Sequence, residues 1–197
     1  MVKLTKKELE KLAGLNVDIG VKKKTRNSFD RLSDAVDIMK QDNSRDRILF
    51  NKDYTACILE FNNIAFLSNN DLLRIDNRYL YKFKMAWHDR VESLIKGVNL
   101  SEWEETKKGQ ILIEFLYKTK NAQVYDPDSI SSAFKSTLDG IVNSGLIVDD
   151  KVENIPLIIP KQEKTKNENS LFIVLSKIDD IDKYYSTYFK DLIKKYS

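Results

Sequence analysis

The chain has 197 residues, 42% hydrophobic and 32% charged, with a formal net charge of +3 at pH 7. That balance fits a soluble globular protein with a sizeable core, and no run of about 18 apolar residues is present to span a membrane. The opening "MVKLTKKELEKLAGL" has no apolar segment of the secretory kind, and a lone Cys57 can form no internal disulfide, so a reducing cytoplasm is expected.

The charge is uneven. Residues 1–48 carry 12 Lys/Arg against 8 Asp/Glu, whereas the rest carries 21 against 22. The basic excess centres on "VKKKTR", with Lys22, Lys23, Lys24 and Arg26. A basic arm on a near-neutral body is compatible with nucleic-acid contact, although such a run also reads as a solvated loop.

In chain order, "TKKELEKLAG" (5–14) predicts a short helix capped by Thr5 and stopped by Gly14. Residues 28–41 predict a second, with Phe29, Leu32, Val36 and Met39 on one stripe. Residues 1–47 are thus expected to be a basic helical extension, and 48–197 the main domain. "YTACILEFNNIAFL" (54–67) reads as one or two strands, and "NDLLRID" as a turn. Residues 79–97 predict a helix ending at Gly97, with Phe83, Trp87, Val91 and Leu94 buried and its Lys and Arg residues outward. "GQILIEFLYK" (109–118) predicts a strand. "DSISSAFKSTLDGIVNSG" predicts one helix capped by Asp128 or Ser129 and closed by Gly145. "VENIPLIIPK" and "SLFIVLSKI" predict strands around a charged, hairpin-like "KQEKTKNEN", and the tail from Asp182 an amphipathic helix. The expected class is α/β (α+β), a small mixed sheet covered by helices.

The chemistry concentrates in "YDPDSISSAFKSTLDGIVNSGLIVDD" (125–150). Five carboxylates, Asp126, Asp128, Asp139, Asp149 and Asp150, occupy one short segment, and crowding them costs energy unless a cation intervenes. Either they point apart into solvent as caps and turns, or they hold a metal. If the chain is extended at Asp126–Asp128, both side chains project to one side of Pro127 and can share an ion. All-oxygen ligation suits Mg²⁺ or Mn²⁺, which can activate water and stabilise charge on a phosphodiester. Lys135, between the doublets, is placed to neutralise a phosphate oxygen.

The segment resembles the RusA family of Holliday-junction resolvases, particularly its phage and Gram-positive members. "DPDSI" is similar to the family's D-P-D-N-I, and "KSTLDGIVNSGLIVDD" supplies Lys135, Asp139, Gly145, Asp149 and Asp150 in order. The likeness extends over roughly 55–178, with Asn70 matching the family's early Asn. It departs at Ser129, where the family has Asn, and in the absence of proline before Asn70. The resemblance implies a RusA-like fold, a homodimer, and a Mg²⁺-dependent endonuclease that resolves four-way DNA by paired nicks in recombination and repair. It makes Asp126, Asp128 and Asp150 the essential metal-binding carboxylates and Asp149 an assisting one. Lys135 then acts near the scissile phosphate, with Asp139 and Asn70 supporting. A bacterial cell, with a phage or prophage origin, is the setting that the family suggests. Lys118 and Lys120, expected on the loop before Asp126, are candidate DNA contacts, with steeply salt-dependent binding.

Two alternatives stand beside this reading: a branched-DNA-binding protein without catalysis, and a metal-dependent nuclease acting on flaps or other branched DNA. His88 reads as a solvated or partly packed imidazole, Cys57 as a buried thiol, and Tyr184, Tyr185, Tyr188 and Phe189 as a packing face rather than a base-stacking platform.

Overall fold

The computed structural model describes residues 28–41, 43–121 and 123–179. The helices expected at 5–14 and in the tail, the basic residues Lys22, Lys23, Lys24 and Arg26, and the tail aromatics lie outside the described residues.

The expected mixed class holds. Five strands form one sheet: β1 (Arg47–Phe50), β2 (Ala56–Asn62), β3 (Gln110–Thr119), β4 (Leu157–Lys164) and β5 (Ser170–Ile178), in the order β1-β2-β5-β3-β4. All neighbours are antiparallel except β3 and β4, which run parallel. The helices are α1 (Ser28–Met39), α2 (Asn69–Leu73), α3 (Asn77–Ile95), α4 (Glu104–Lys107), α5 (Pro127–Ala133) and α6 (Lys135–Asn143), with a 3₁₀ turn at Ser101–Trp103.

Strand alternation decides which side of the sheet the helices cover. Leu59 and Phe61 of β2, Ile113, Phe115 and Tyr117 of β3, and Leu171, Ile173 and Leu175 of β5 are buried together with residues of α1, α3, α5 and α6. Period-2 strands and period-3.6 helices thus share one core. Leu32, Ala35, Val36 and Met39 of α1 belong to that core, so this part of 1–47 packs against the main body, chiefly on α3.

Several details differ from the sequence expectations. β4 and β5 do not form a hairpin, because β3 lies between them and pairs with both. The stretch after Asn62 leaves the sheet, although Ile64, Ala65 and Leu67 remain buried. "NDLLRID" is helical at its start: Ser68 and Asp71 form a reciprocal capping box that initiates α2. On α3, Arg90 lies on the buried face rather than the outward one, at 3% exposure. It meets Asp46 through two parallel bonds, Nε–Oδ2 at 2.5 Å and Nη2–Oδ1 at 2.8 Å. Its guanidinium also donates to the Asn62 carbonyl, and the Asn62 amide donates to Asp46 Oδ1 at 2.8 Å. This buried pair ties α3 to the approach to β1 and to the end of β2.

Candidate functional site

The polypeptide between β3 and β4 is a right-sized crossover for a parallel pair, and the five aspartates lie on it. Its first part is held by Gln162 of β4, whose amide nitrogen donates to the Gln123 carbonyl at 2.7 Å. The same side chain's oxygen accepts from the Tyr125 amide at 2.9 Å. Tyr125 then packs tilted against Phe66, with ring centroids 4.2 Å apart and the planes at 38°. Burial, with a contribution from the nearby Asp71 carboxylate, pushes its phenol above the usual range, against a hydrogen bond from Asn121. The segment entering Asp126 is therefore anchored at both backbone and ring.

Asp126 itself is the N-cap residue of α5, with extended backbone angles of φ −66° and ψ 150°, and Pro127 occupies the first helical position. Proline is favoured there, since its missing N–H would be unpaired anyway. The expected extended Asp-Pro-Asp therefore does not occur: Asp126 is extended and Asp128 is in the first turn of α5. The cap is Asp126, not Asp128 or Ser129, and its side chain makes no capping bond. Asp126 and Asp128 are both exposed.

The single predicted helix is two helices. They break at Phe134, which is fully buried among Phe66, Trp87, Phe115 and Tyr117. Seating that ring turns the chain, and α6 starts at Lys135. Gly140 lets α6 approach α3 closely, since a Cβ there would lie 3.3 Å from Val91. Gly145 closes α6 as expected, with φ +77° and the paired bonds Leu146 N–Ile141 O and Gly145 N–Val142 O of a Schellman motif. Leu146 and Ile147 are then buried, and the Trp103 indole donates to the Leu146 carbonyl at 2.7 Å. With that turn pinned, Asp149 and Asp150 emerge at the surface.

Lys135 joins the middle of the motif to its end. Its ammonium lies 2.8 Å from Asp139 Oδ1, one helical turn away, and also donates to Asp150, fifteen positions on. Partial burial pulls the Lys135 ammonium down, but the bonds to Asp139 and Asp150 outweigh it and the net direction is up. Asp149 pairs with Lys151 at 2.8 Å and also accepts from the Asp150 amide. The Lys151 contact holds the Asp149 carboxyl below its usual range.

The donor set is chemically suited to a hard divalent ion, being carboxylate oxygen throughout. Its arrangement is not: among the described residues no three Asp, Glu, His or Cys side chains are gathered closely enough to hold one. Lysine ammoniums occupy Asp149 and Asp150 instead. Asn70 is exposed on α2, and α2 packs against α5, so the two lie in one neighbourhood. Lys118 is not on a loop but within β3. Its ammonium sits 3.6 Å from Glu163 and 4.9 Å from the Phe172 ring centroid. Lys120 is exposed just beyond the strand.

His88 is half-buried and faces Asn143 at 3.4 Å. It lines a cleft of about 500 Å³ between α3 and α6 that contains none of the five aspartates. Cys57 is buried as expected, and burial pushes its thiol up to about 12. Sequence reasoning missed the Arg31–Asp71 contact of 2.7 Å that joins α1 to α2. Ser68-x-x-Asp71, a readable capping box, was the available signal there. No helix among the described residues is long and apolar enough to cross a membrane.

No family model matches the chain, and no curated protein sequence does. Among solved structures, the chain has a likeness to the cell wall anchor of the T6SS from Pseudomonas aeruginosa. It is 9% identical, covers 75% of this chain and 96% of that one, and has a TM-score of 0.29. At that score the likeness carries no argument about fold or function.

Proposed function

We propose that this protein is a metal-dependent, structure-specific endodeoxyribonuclease of the RusA type, acting as a homodimer on four-way DNA in a bacterial cell. The observation that carries the reading is the convergence of Asp139 and Asp150 on Lys135. Elements of a multi-part motif, four and fifteen positions from Lys135, meet on one ammonium, and the preceding helix is capped at Asp126.

Electrostatics supports a need for cations. Residues 125–151 carry Asp126, Asp128, Asp139, Asp149 and Asp150 against Lys135 and Lys151, five negative charges against two positive. A phosphodiester approaching such a surface is repelled unless a cation arrives with it. Mg²⁺, or Mn²⁺, held by Asp126, Asp128, Asp149 and Asp150 would supply water activation and charge neutralisation. Because those carboxylates are not gathered here, loading requires the Lys135–Asp150 contact to open. Lys135 would then be released toward a phosphate oxygen, while Asp139, one turn along the helix, keeps its position. Lys120 and Asn70 are exposed and available to position the backbone of the DNA.

A second reading, a branched-DNA-binding protein without cleavage, is favoured by the same lysine occupancy of Asp150. Cleavage of a mobile four-way junction, a flap and a plain duplex in Mg²⁺ distinguishes these. The proposal predicts paired nicks confined to the junction. Tight junction binding without cutting in either Mg²⁺ or Mn²⁺ supports the second reading, and preferential flap cutting makes the enzyme a nuclease of another specificity.

A further inference from the structure

The cleft between α3 and α6 plays no part in the nuclease reading, and its volume of about 500 Å³ lies within the range of small-molecule sites. Gly140 sits in its wall, where a Cβ would come within 3.3 Å of Val91, so the missing side chain is what lets the two helices meet there. Met85, Ile95, Val98 and Leu100 give the cleft an apolar surface, and polar groups converge on it from both helices. His88 of α3 faces Asn143 of α6 at 3.4 Å, a contact that bridges the two walls. The Ser144 hydroxyl donates to the Ile141 carbonyl at 2.8 Å, which leaves its own oxygen to accept. Asp89 and Glu92 supply carboxylates, and among the described residues neither has an ion-pair partner.

The electrostatics of the cleft favour a cation. Its lining sets Asp89 and Glu92 against Lys96. Both helices also end at it: Ile95 is the last residue of α3 and Asn143 the last of α6, and neither helix has a basic residue in its last turn. A helix C-terminus carries about half a negative charge and normally draws Lys or Arg. Glu92, in the last turn of α3, does the reverse, and it repels Asp89 one turn before it. Two carboxylates set against the helix dipole, beside a hydroxyl acceptor and an apolar wall, match a ligand that brings the missing cation. We infer that this cleft binds a small organic amine, its ammonium held by Asp89 and Glu92 and its hydrocarbon part lying on Ile95, Val98 and Leu100. An ammonium has donors and no acceptor, which suits a lining rich in acceptors. The inference is independent of the nuclease reading, since neither Lys135 nor any of the five aspartates lines the cleft.

His88 is the chain's single histidine, so its imidazole proton signals report on the cleft without ambiguity. Titrating the full chain with n-hexylamine, at a fixed pH near 7, should shift those signals to saturation. Hexanoate, with the same chain length and the opposite charge, should leave them in place. Asp89→Asn combined with Glu92→Gln, both at exposed positions, should raise the hexylamine Kd at least about fivefold, and raising the salt from about 50 to about 500 mM should weaken binding to the wild type. Methylamine keeps the ammonium and lacks the chain, so it should bind more weakly than hexylamine. No shift with hexylamine overturns the inference. So does an equal response to hexanoate or to methylamine, or an affinity indifferent to the double substitution and to salt.

Discussion

Replacing Asp46 by Ala should be among the most damaging single changes in the protein. Arg90 and Asp46 have side chains only 2% and 4% exposed, so neither charge is screened by water. The substitution removes both guanidinium–carboxylate bonds and the acceptor of the Asn62 amide, and leaves the guanidinium buried with its carbonyl contacts alone. Breaking one side of a buried pair costs about 3–5 kcal/mol, a large part of the ~5–15 kcal/mol that holds a domain together. With a urea slope near ~2 kcal/mol per molar, the midpoint should fall by about 2 M. Trp87 and Trp103 are both fully buried and report the transition by fluorescence. The double change Asp46→Leu with Arg90→Met should recover most of the loss, because it removes the stranded charge as well as its partner. A single-mutant cost under about 1 kcal/mol, or a double mutant no better than the single, would refute the reasoning that desolvation dominates here.

Three further outcomes follow from the same geometry. Lys135 is raised above its ordinary 10.5 by its two carboxylates against the pull of burial, so its contribution to stability is fully present below that value and is lost as pH rises through the higher folded value. Lys135→Gln should therefore flatten the alkaline end of a thermal-stability profile, and an unchanged alkaline limb would contradict it. Cys57, with its thiol pushed up to about 12, should resist a thiol reagent at pH 8 until the protein unfolds, and stoichiometric labelling of the native chain within minutes would be inconsistent with its burial. Gly145→Ala should cost about 1–2 kcal/mol in denaturant melts. A Cβ there meets nothing within 4 Å, so the cost is backbone strain at φ +77°, and Gly145→Asn should cost less.

The parts legible in the sequence were those written in local pattern. β3 and β5 alternate over nine or ten residues, α3 repeats its apolar positions at helical spacing, and Gly145 ends α6 as its position suggested. What was not legible depends on partners distant in the chain. β1 is a four-residue edge strand whose identity comes from β2, and the parallel pairing of β3 with β4 cannot be read from either strand. The break at Phe134 is set by an aromatic pocket assembled from α3, β3 and the segment after β2. Arg90 looked like a solvated helix residue because its partner lies 44 positions away, although its spacing from Trp87 and Val91 already put it toward the buried side. At the candidate site, the family resemblance grouped Lys135, Asp139 and Asp150, and the fold brings their charges into contact as ion pairs, with Lys135 on the carboxylate expected to hold a metal. Spacing misjudged Asp126 and Asp128, because a proline at the first helical position turns an expected extended pair into a cap and a first turn.

The nuclease proposal is tested most directly by incubating a synthetic four-way junction with the wild type and with Asp128→Asn in Mg²⁺, with EDTA as control and junction binding measured in parallel. Asp128 is exposed, so the variant should fold and bind. The account predicts paired, symmetric nicks by the wild type, abolished by EDTA and reduced more than about 100-fold in Asp128→Asn with affinity retained. Cleavage unaffected by Asp128→Asn, or no cleavage by a wild type that binds the junction in both Mg²⁺ and Mn²⁺, would contradict it.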